Sequence, residues 1–322
     1  MQDLLFSIVI ACYNQQDFVR ESVHSALSQR HESKEVIVVD DASQDGTAEI
    51  LHGFGESIAF VKLTHNQGAC AARNRGASLA RGKYLVFLDG DDVLMPWALD
   101  TYSRLISAGT PTIILGHAAV CRKDVPRLRE QDLPREIRFV EYPRFFAKDR
   151  PWIYNTSTLI VERATFCATD GWSPEIFYQD IQDFLNKIGF AGKTTLLLAP
   201  ATVWYRFHNT NASYKVPAFI DGIYLLLVKA KAGLYAGGRQ HRLERSAWFG
   251  GLIFYWVKKA FSCHLYSLGF KLFTSKAWFI MLASIRRGAA WLTGRRPVQI
   301  LPLEHACRSN ESAMRTVNGS FA

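Results

Sequence analysis

The densest group of chemically capable side chains is Leu88-Asp89-Gly90-Asp91-Asp92, three carboxylates placed directly after the apolar run Tyr84 to Leu88. Carboxylates this close repel one another, so something positive is expected among them. Hard divalent cations suit carboxylate oxygens. Mg²⁺ or Mn²⁺ held by one or two of them completes its shell with water and with phosphate oxygens of a substrate. The bland alternative is a solvated acidic turn that caps the helix opening at Pro96. A second pair, Asp40-Asp41, leads into Ala42-Ser43-Gln44-Asp45-Gly46-Thr47. One of its carboxylates is suited to accept hydrogen bonds from the base or ribose of a nucleotide, the other to cap a helix.

The elements that must position these residues alternate. Phe6 to Cys12 is a continuous apolar run, as a strand covered on both faces shows, and Asp17 to Gln29 then spaces Phe18, Val19, Val23, Ala26 and Leu27 as a helix does. The pattern predicts strands at 35–40, 58–63, 84–88 and 112–116, with helices from Thr47, over 68–81 and from Pro96. Further strands are expected at 157–161 and near Leu196, and a helix over 180–188. Such alternation implies an α/β fold, a mostly parallel, Rossmann-like sheet flanked by helices, with ligands at the carboxyl ends of the strands. Both acidic groups fall at strand ends. No elements are assigned over 117–150, which is rich in charge and proline.

Much is excluded. With 322 residues, 48% hydrophobic and 21% charged, the chain is neither disordered nor a disulfide miniature. Its six cysteines are scattered without a CxxC pair, so no zinc site or disulfide framework is expected, and a reducing compartment fits. Neither GxGxxG nor GxxxxGK[ST] is present, which removes hydride transfer on a dinucleotide and P-loop ATPase chemistry. A nucleotidyltransferase would bring a basic, glycine-rich loop near its start, and Ala11-Cys12-Tyr13-Asn14 is not one. The first six residues lack the basic and long apolar regions of a signal peptide, so a cytoplasmic location is expected.

Four blocks, Ser7 to Asn14, Val38 to Thr47, Asn66 to Gly76 and Tyr84 to Asp92, closely resemble in order and spacing the family 2 glycosyltransferases of the GT-A fold. The likeness extends more loosely to Tyr205-Arg206-Phe207-His208. It implies an inverting, metal-dependent transferase that moves a sugar from a nucleotide-diphosphate donor, UDP-linked in the first instance, to a cell-surface glycan or lipid-linked acceptor. It further implies that Ala11, Tyr13 and Asp41 line the base pocket, that Arg73 lies near the diphosphate, and that Asp89-Gly90-Asp91 is the DxD element. Asp91 would be the direct ligand of Mn²⁺ or Mg²⁺, with Asp89 and His208 as further metal candidates. The family's base is an aspartate at a helix start, usually written Glu-Asp; Gln179-Asp180 matches with glutamine in place of glutamate. Asp180 is thus the candidate base, Asp183 the competing carboxylate, and Gln179 and Trp172 the expected acceptor contacts. Processive members carry QxxRW, and Gln240 to Trp248 has the wrong spacing for it. A non-catalytic glycan-binding protein of the same fold is the alternative, and the intact Asp91 and Asp180 speak against it.

The reading divides the chain into a transferase domain, 1–215, with a nucleotide-sugar half (1–116) and an acceptor half (117–215), and a helical extension, 216–322. The net charge of +9 belongs to that extension, which holds 15 Lys+Arg against 4 Asp+Glu. Its apolar stretches are too short to span a bilayer, for which about 20 residues are needed. Their aromatic and basic make-up suits helices lying on a membrane, with Trp248, Trp256, Trp278 and Trp291 at headgroup level. Nucleic acid is not an expected partner, since the charges are dispersed among large apolar residues and no recognition motif is present.

Overall fold

The computed structural model describes residues 4–122, 124–148, 155–208, 215–292 and 294–303. In chain order, β1 (Phe6–Cys12), α1 (Val19–Leu27), β2 (Lys34–Asp40), α2 (Thr47–His52), β3 (Ala59–Lys62), α3 (Ala69–Leu79) and β4 (Tyr84–Asp89) form the first half. A short β5 (Val93–Leu94), α4 (Ala98–Gly109), β6 (Ile113–Leu115), β7 (Ala118–Cys121), β8 (Glu136–Tyr142) and β9 (Leu159–Glu162) follow. Then come α5 (Arg163–Cys167), α6 (Asp180–Ile188), β10 (Thr194–Ala199), β11 (Val203–Arg206), α7 (Val216–Lys231), α8 (Arg242–Ser262), α9 (Tyr266–Ser275), α10 (Ala277–Leu292) and β12 (Gln299–Pro302).

Nine strands form one sheet in the order β12-β8-β10-β6-β9-β4-β1-β2-β3. Every residue of β1 is buried, as expected of a strand with helices on both faces. It pairs in parallel with β2 and β4 in registers that bring Cys12 beside Asp40 and Ala11 beside Asp89, so both acidic groups share one rim. Helix α3 lies close on β1 because Gly76 faces Val9: a Cβ there would fall 2.3 Å from Val9 Cγ1. The sheet is parallel over β3-β2-β1-β4, while β9 runs antiparallel to both β4 and β6 and β8 antiparallel to β10, so the sheet beyond β4 is mixed. A second sheet, β5-β11-β7, pairs β11 with β7 in parallel and with β5 antiparallel, returning residues 203–206 to the Asp91–Asp92 turn.

Residues 117–150, where no element was expected, hold β7 and β8. In β8 Ile137 and Phe139 are buried while Glu136 and Arg138 are exposed, a period-2 pattern only four residues long before the buried Val140 breaks it.

The extension does not stand apart from the rest. Helices α7 and α8 build their own core around Ile220, Ile223, Phe249 and Ile253. Trp248 meanwhile packs edge-on against Phe145 and Phe146, 5.9 and 6.1 Å between ring centroids. Strand β12 pairs antiparallel with β8 and becomes an edge of the large sheet. The expected boundary at 215 therefore separates segments that share packing and a sheet. Of the four tryptophans expected at a membrane surface, Trp256 is buried, Trp248 is half-buried in this packing and Trp278 is exposed. The side chain of Trp291 lies outside the described residues. No single described helix is long and apolar enough to cross a membrane; α9 and residues 277–289 of α10 pass that test only as a pair bent by 73°.

Candidate functional site

A cleft of about 1680 Å³ opens over the carboxyl ends of β1, β2 and β4 and continues between α6 and the C-terminal helices. Ala11, Tyr13, Asp41, Arg73, Asp89, Asp91, Gln179, Asp180 and His208 all line it. The parallel register brings Ala11, Tyr13, Asp41, Asp89 and Asp91 together at one rim, while Arg73 is carried there by α3, Gln179 and Asp180 by the start of α6, and His208 by the segment after β11.

The positive partner expected among the aspartates is Arg73, carried by α3 and 4% exposed. Its guanidinium donates at 2.7 Å to Asp89 Oδ1 and at 2.6 Å to Asp180 Oδ2, and sits 5.1 Å above the Trp172 ring. One buried cation thereby joins the DxD turn to the first residue of α6. Burial works against its charge, but Asp89 and Asp180 hold the guanidinium firmly protonated. The carboxyl of Asp89 is pushed up by burial, which Arg73 partly offsets. Asp91 answers to a different partner: its Oδ2 lies 2.9 Å from His208 Nε2, and that ring stacks on Phe18 at 4.8 Å. Asp92 is fully buried, and burial with Asp91 and Asp89 nearby pushes it well above the usual carboxylate range. It accepts from Ser157 Oγ at 2.5 Å and from the Arg206 amide at 2.9 Å. The three adjacent carboxylates thus face three different elements, which is how the turn tolerates them.

Asp40 and Asp41 both accept hydrogen bonds from the protein's own loops. Asp40 accepts from the Ser43 amide at 2.9 Å, closing the loop after β2. Asp41 accepts from the amides of Gln67 and Gly68 at 2.8 and 2.7 Å, fixing the entry to α3 at the cleft wall. Asn14 and Ala42, both at positive φ, bring the two loops together, with the Gln44 amide donating to Asn14 Oδ1 at 2.8 Å. Non-glycine residues in that region store strain, which clusters at working sites.

Two expectations change, and Gly90 gains a structural reason. Trp172 is fully buried, stacked on Phe184 at 4.6 Å and clamped by Asn74 through both its amide and its carbonyl, so it cannot stack on an acceptor sugar. It instead forms the floor under Arg73. Gln179 reaches the cleft wall but is 2% exposed, and its amide donates to the Phe219 carbonyl at 3.0 Å, bracing α6 against α7. Gly90 lies beneath the cleft, where a Cβ would fall 2.2 Å from Gln15 Oε1 and 2.6 Å from Cys12 Cβ. Only glycine lets that turn approach β1.

Sequence reasoning missed the supports. Asp183, the competing carboxylate, is fully buried and receives Tyr235 Oη at 2.7 Å, Lys229 Nζ at 2.9 Å and Ser173 Oγ at 2.6 Å. That removes it from the cleft and leaves Asp180, half-buried, as the carboxylate of α6 that lines it. Ser157 and Arg206 carry no local signal, although Arg206 stands two residues before His208.

Among the described residues no three His, Cys, Asp or Glu side chains converge on one point. The Asp91–His208 pair offers one hard and one borderline donor at the cleft wall. A Mn²⁺ or Mg²⁺ bound there would need further oxygens from substrate and water, which is the usual habit of such ions.

The profile described as "Glycosyl transferase family 2" matches residues 7–167. The chain belongs to that family. A UDP-Glc:alpha-D-GlcNAc-diphosphoundecaprenol beta-1,3-glucosyltransferase, WfaP of Escherichia coli, is 43% identical over 89 residues, 27% of this chain and 36% of that protein. The matched segment thus spans about a third of that curated relative. Among solved structures, S. aureus TarS 1-349 in complex with UDP-GlcNAc superposes with a TM-score of 0.62 at 16% identity, covering 87% of this chain and 81% of TarS 1-349. Mannosyltransferase PcManGT from Pyrobaculum calidifontis, in complex with GDP-Man and Mn2+, gives 0.51 at 16% identity, covering 89% and 86%. At such identity the likeness speaks for the fold, which is the GT-A type. This family 2 member therefore keeps the family's sheet while its C-terminal helices wall off one side of the cleft.

Proposed function

We propose that the protein is an inverting glycosyltransferase that moves one sugar per event from a nucleotide-diphosphate donor, UDP-linked in the first instance, to a glycan or lipid-linked acceptor. The observation that carries this reading is the cleft in which Asp180, Arg73, Asp89 and the Asp91–His208 pair face one another. The base and ribose occupy the pocket of Ala11, Tyr13 and Asp41. Asp91 and His208 would hold Mn²⁺ or Mg²⁺, which when bound would neutralise the leaving diphosphate. Arg73 keeps Asp89 and Asp180 at opposite ends of one guanidinium. Asp180 takes the proton of the acceptor hydroxyl as it attacks the anomeric carbon from the face opposite the diphosphate, so the configuration inverts. A relative that acts on a UDP-sugar and a neighbour holding GDP-Man with Mn2+ support the donor class and the metal. The exposed aromatic and basic faces of α9 and α10 support a peripheral place on the cytoplasmic face of a membrane.

Calorimetry with UDP, GDP and CDP, each with and without Mn²⁺, tests this. Tight, metal-dependent binding of one nucleotide is expected, and no binding of any of them would overturn the reading.

A further inference from the structure

The cleft is longer than a nucleotide sugar requires. Beyond Asp180 its lining takes in residues of α7 and α8 and the cations Lys258, Lys259 and Arg287. A series of ring contacts leads from Tyr178 to Tyr255. Tyr178, two residues before the candidate base, packs on Phe219 at 5.3 Å; Phe219 stacks on Trp256 at 4.5 Å and 19°; Trp256 meets Tyr255 edge-on at 5.4 Å. Lys258 and Lys259 lie three and four residues beyond Tyr255 on α8, hence on the same helix face about 5–6 Å further on.

The cations at that end are poorly answered by the protein. Among the described residues no carboxylate pairs with Lys258, Lys259 or Arg287. Lys258 Nζ and the Arg287 guanidinium instead flank one ring, Phe254, at 5.2 and 5.6 Å. Elsewhere in the same cleft Arg73 and His208 each face a carboxylate. Like charges gathered on one apolar wall stabilise an anion that enters between them, and the aromatic walls suit apolar chain or sugar faces.

We propose that this arm is the acceptor subsite and that the acceptor is a saccharide carried on a lipid phosphate or diphosphate. Its sugar reaches Asp180, its chain lies on the Phe219–Trp256–Tyr255 wall, and its phosphate is held by Lys258, Lys259 and Arg287. The proposal rests on the glycosyltransferase reading and names the acceptor class of the same cleft.

The probe is farnesyl diphosphate, added to the full chain saturated with UDP and Mn²⁺ so that the donor site is blocked, and followed by quenching of tryptophan fluorescence. Saturable binding is expected, at least 10-fold tighter than for farnesol or for inorganic diphosphate. Lys258→Glu with Lys259→Glu should weaken it at least 10-fold while UDP affinity stays unchanged. Binding no tighter than that of farnesol, or unaffected by the double substitution, would overturn the proposal. A third arm uses vesicles of neutral and of anionic lipid: if the double variant loses only its retention on anionic vesicles and still binds farnesyl diphosphate normally, these cations serve the bilayer surface and the proposal fails. Loss of UDP binding by the unaltered protein would instead strike the donor reading, so the two failures are distinct.

Discussion

The rim of the parallel half and the far wall of the C-terminal helices treat charge in opposite ways. At the rim, Asp89 and Asp180 share Arg73, Asp91 faces His208, and Asp41 and Asp92 accept backbone amides. At the far wall, Lys258 and Arg287 meet the Phe254 ring, and Phe270, Trp278 and Ile285 stand exposed on α9 and α10. A charge answered inside the protein keeps its geometry before substrate arrives, which is what chemistry at a fixed distance needs. A charge left to solvent keeps its attraction for something from outside. On the proposed function, the difference means that the donor site and base are preorganised, while the acceptor and the surface that presents it complete the other end.

The comparison can be broken from the rim side first. Asp180→Asn should lower turnover on the order of 100-fold or more with nucleotide affinity intact; wild-type turnover in a steady-state assay would relieve Asp180 of the role. Asp91→Asn should weaken Mn²⁺-dependent UDP binding by roughly 10- to 100-fold, and chelation of the metal should do the same to the unaltered protein. Calorimetric titrations that come out equal for the variant and the unaltered protein would remove Asp91 from the metal site.

Lys229→Met probes the tie between the regions. Asp183, fully buried, would lose its link from α7, at a cost of about 1.5 kcal/mol in urea unfolding, and α6 would lose part of the support that aims Asp180. Unchanged stability would mean that Tyr235, Ser173 and Lys187 suffice. The same tie shows why cutting the chain at 215 is a poor test of membrane binding: it removes Phe219, Lys229 and Tyr235 from behind α6 together with the exposed helices. The smallest effect on folding is expected at the far wall. Phe270→Ser with Trp278→Ser should change stability by no more than about 0.5 kcal/mol, as exposed positions do, yet reduce co-sedimentation with anionic vesicles. Equal sedimentation would separate the exposed aromatics from any membrane role.

Much of the rim was legible beforehand. Runs such as Ser7 to Cys12 and Tyr84 to Leu88 are apolar throughout, and a strand buried on both faces can do little else. The residues that follow such strands must then meet at one edge, which is why Asp41, Asp89, Asp91 and, through the short second sheet, His208 were found together. The failures share one cause. Trp172 was expected on an acceptor and lies beneath Arg73, because a turn of Gly and Trp has no periodicity to say which way the ring points. Gln179 was expected to face a substrate and braces Phe219, a residue forty positions away.

What the sequence by itself determined is therefore local: where strands and helices begin, which residues leave the sheet at its rim, and the excess of positive charge beyond 216. Those follow from side-chain volume, period and charge along the chain. Only the tertiary structure decided that Arg73 would join Asp89 to Asp180, that Asp183 would turn inward and Asp180 outward, and that α7 and α8 would close the cleft as an aromatic wall. Each of these depends on which groups meet across more than a hundred residues or across one turn of helix in a crowded interior, where packing selects among partners of the same chemical type.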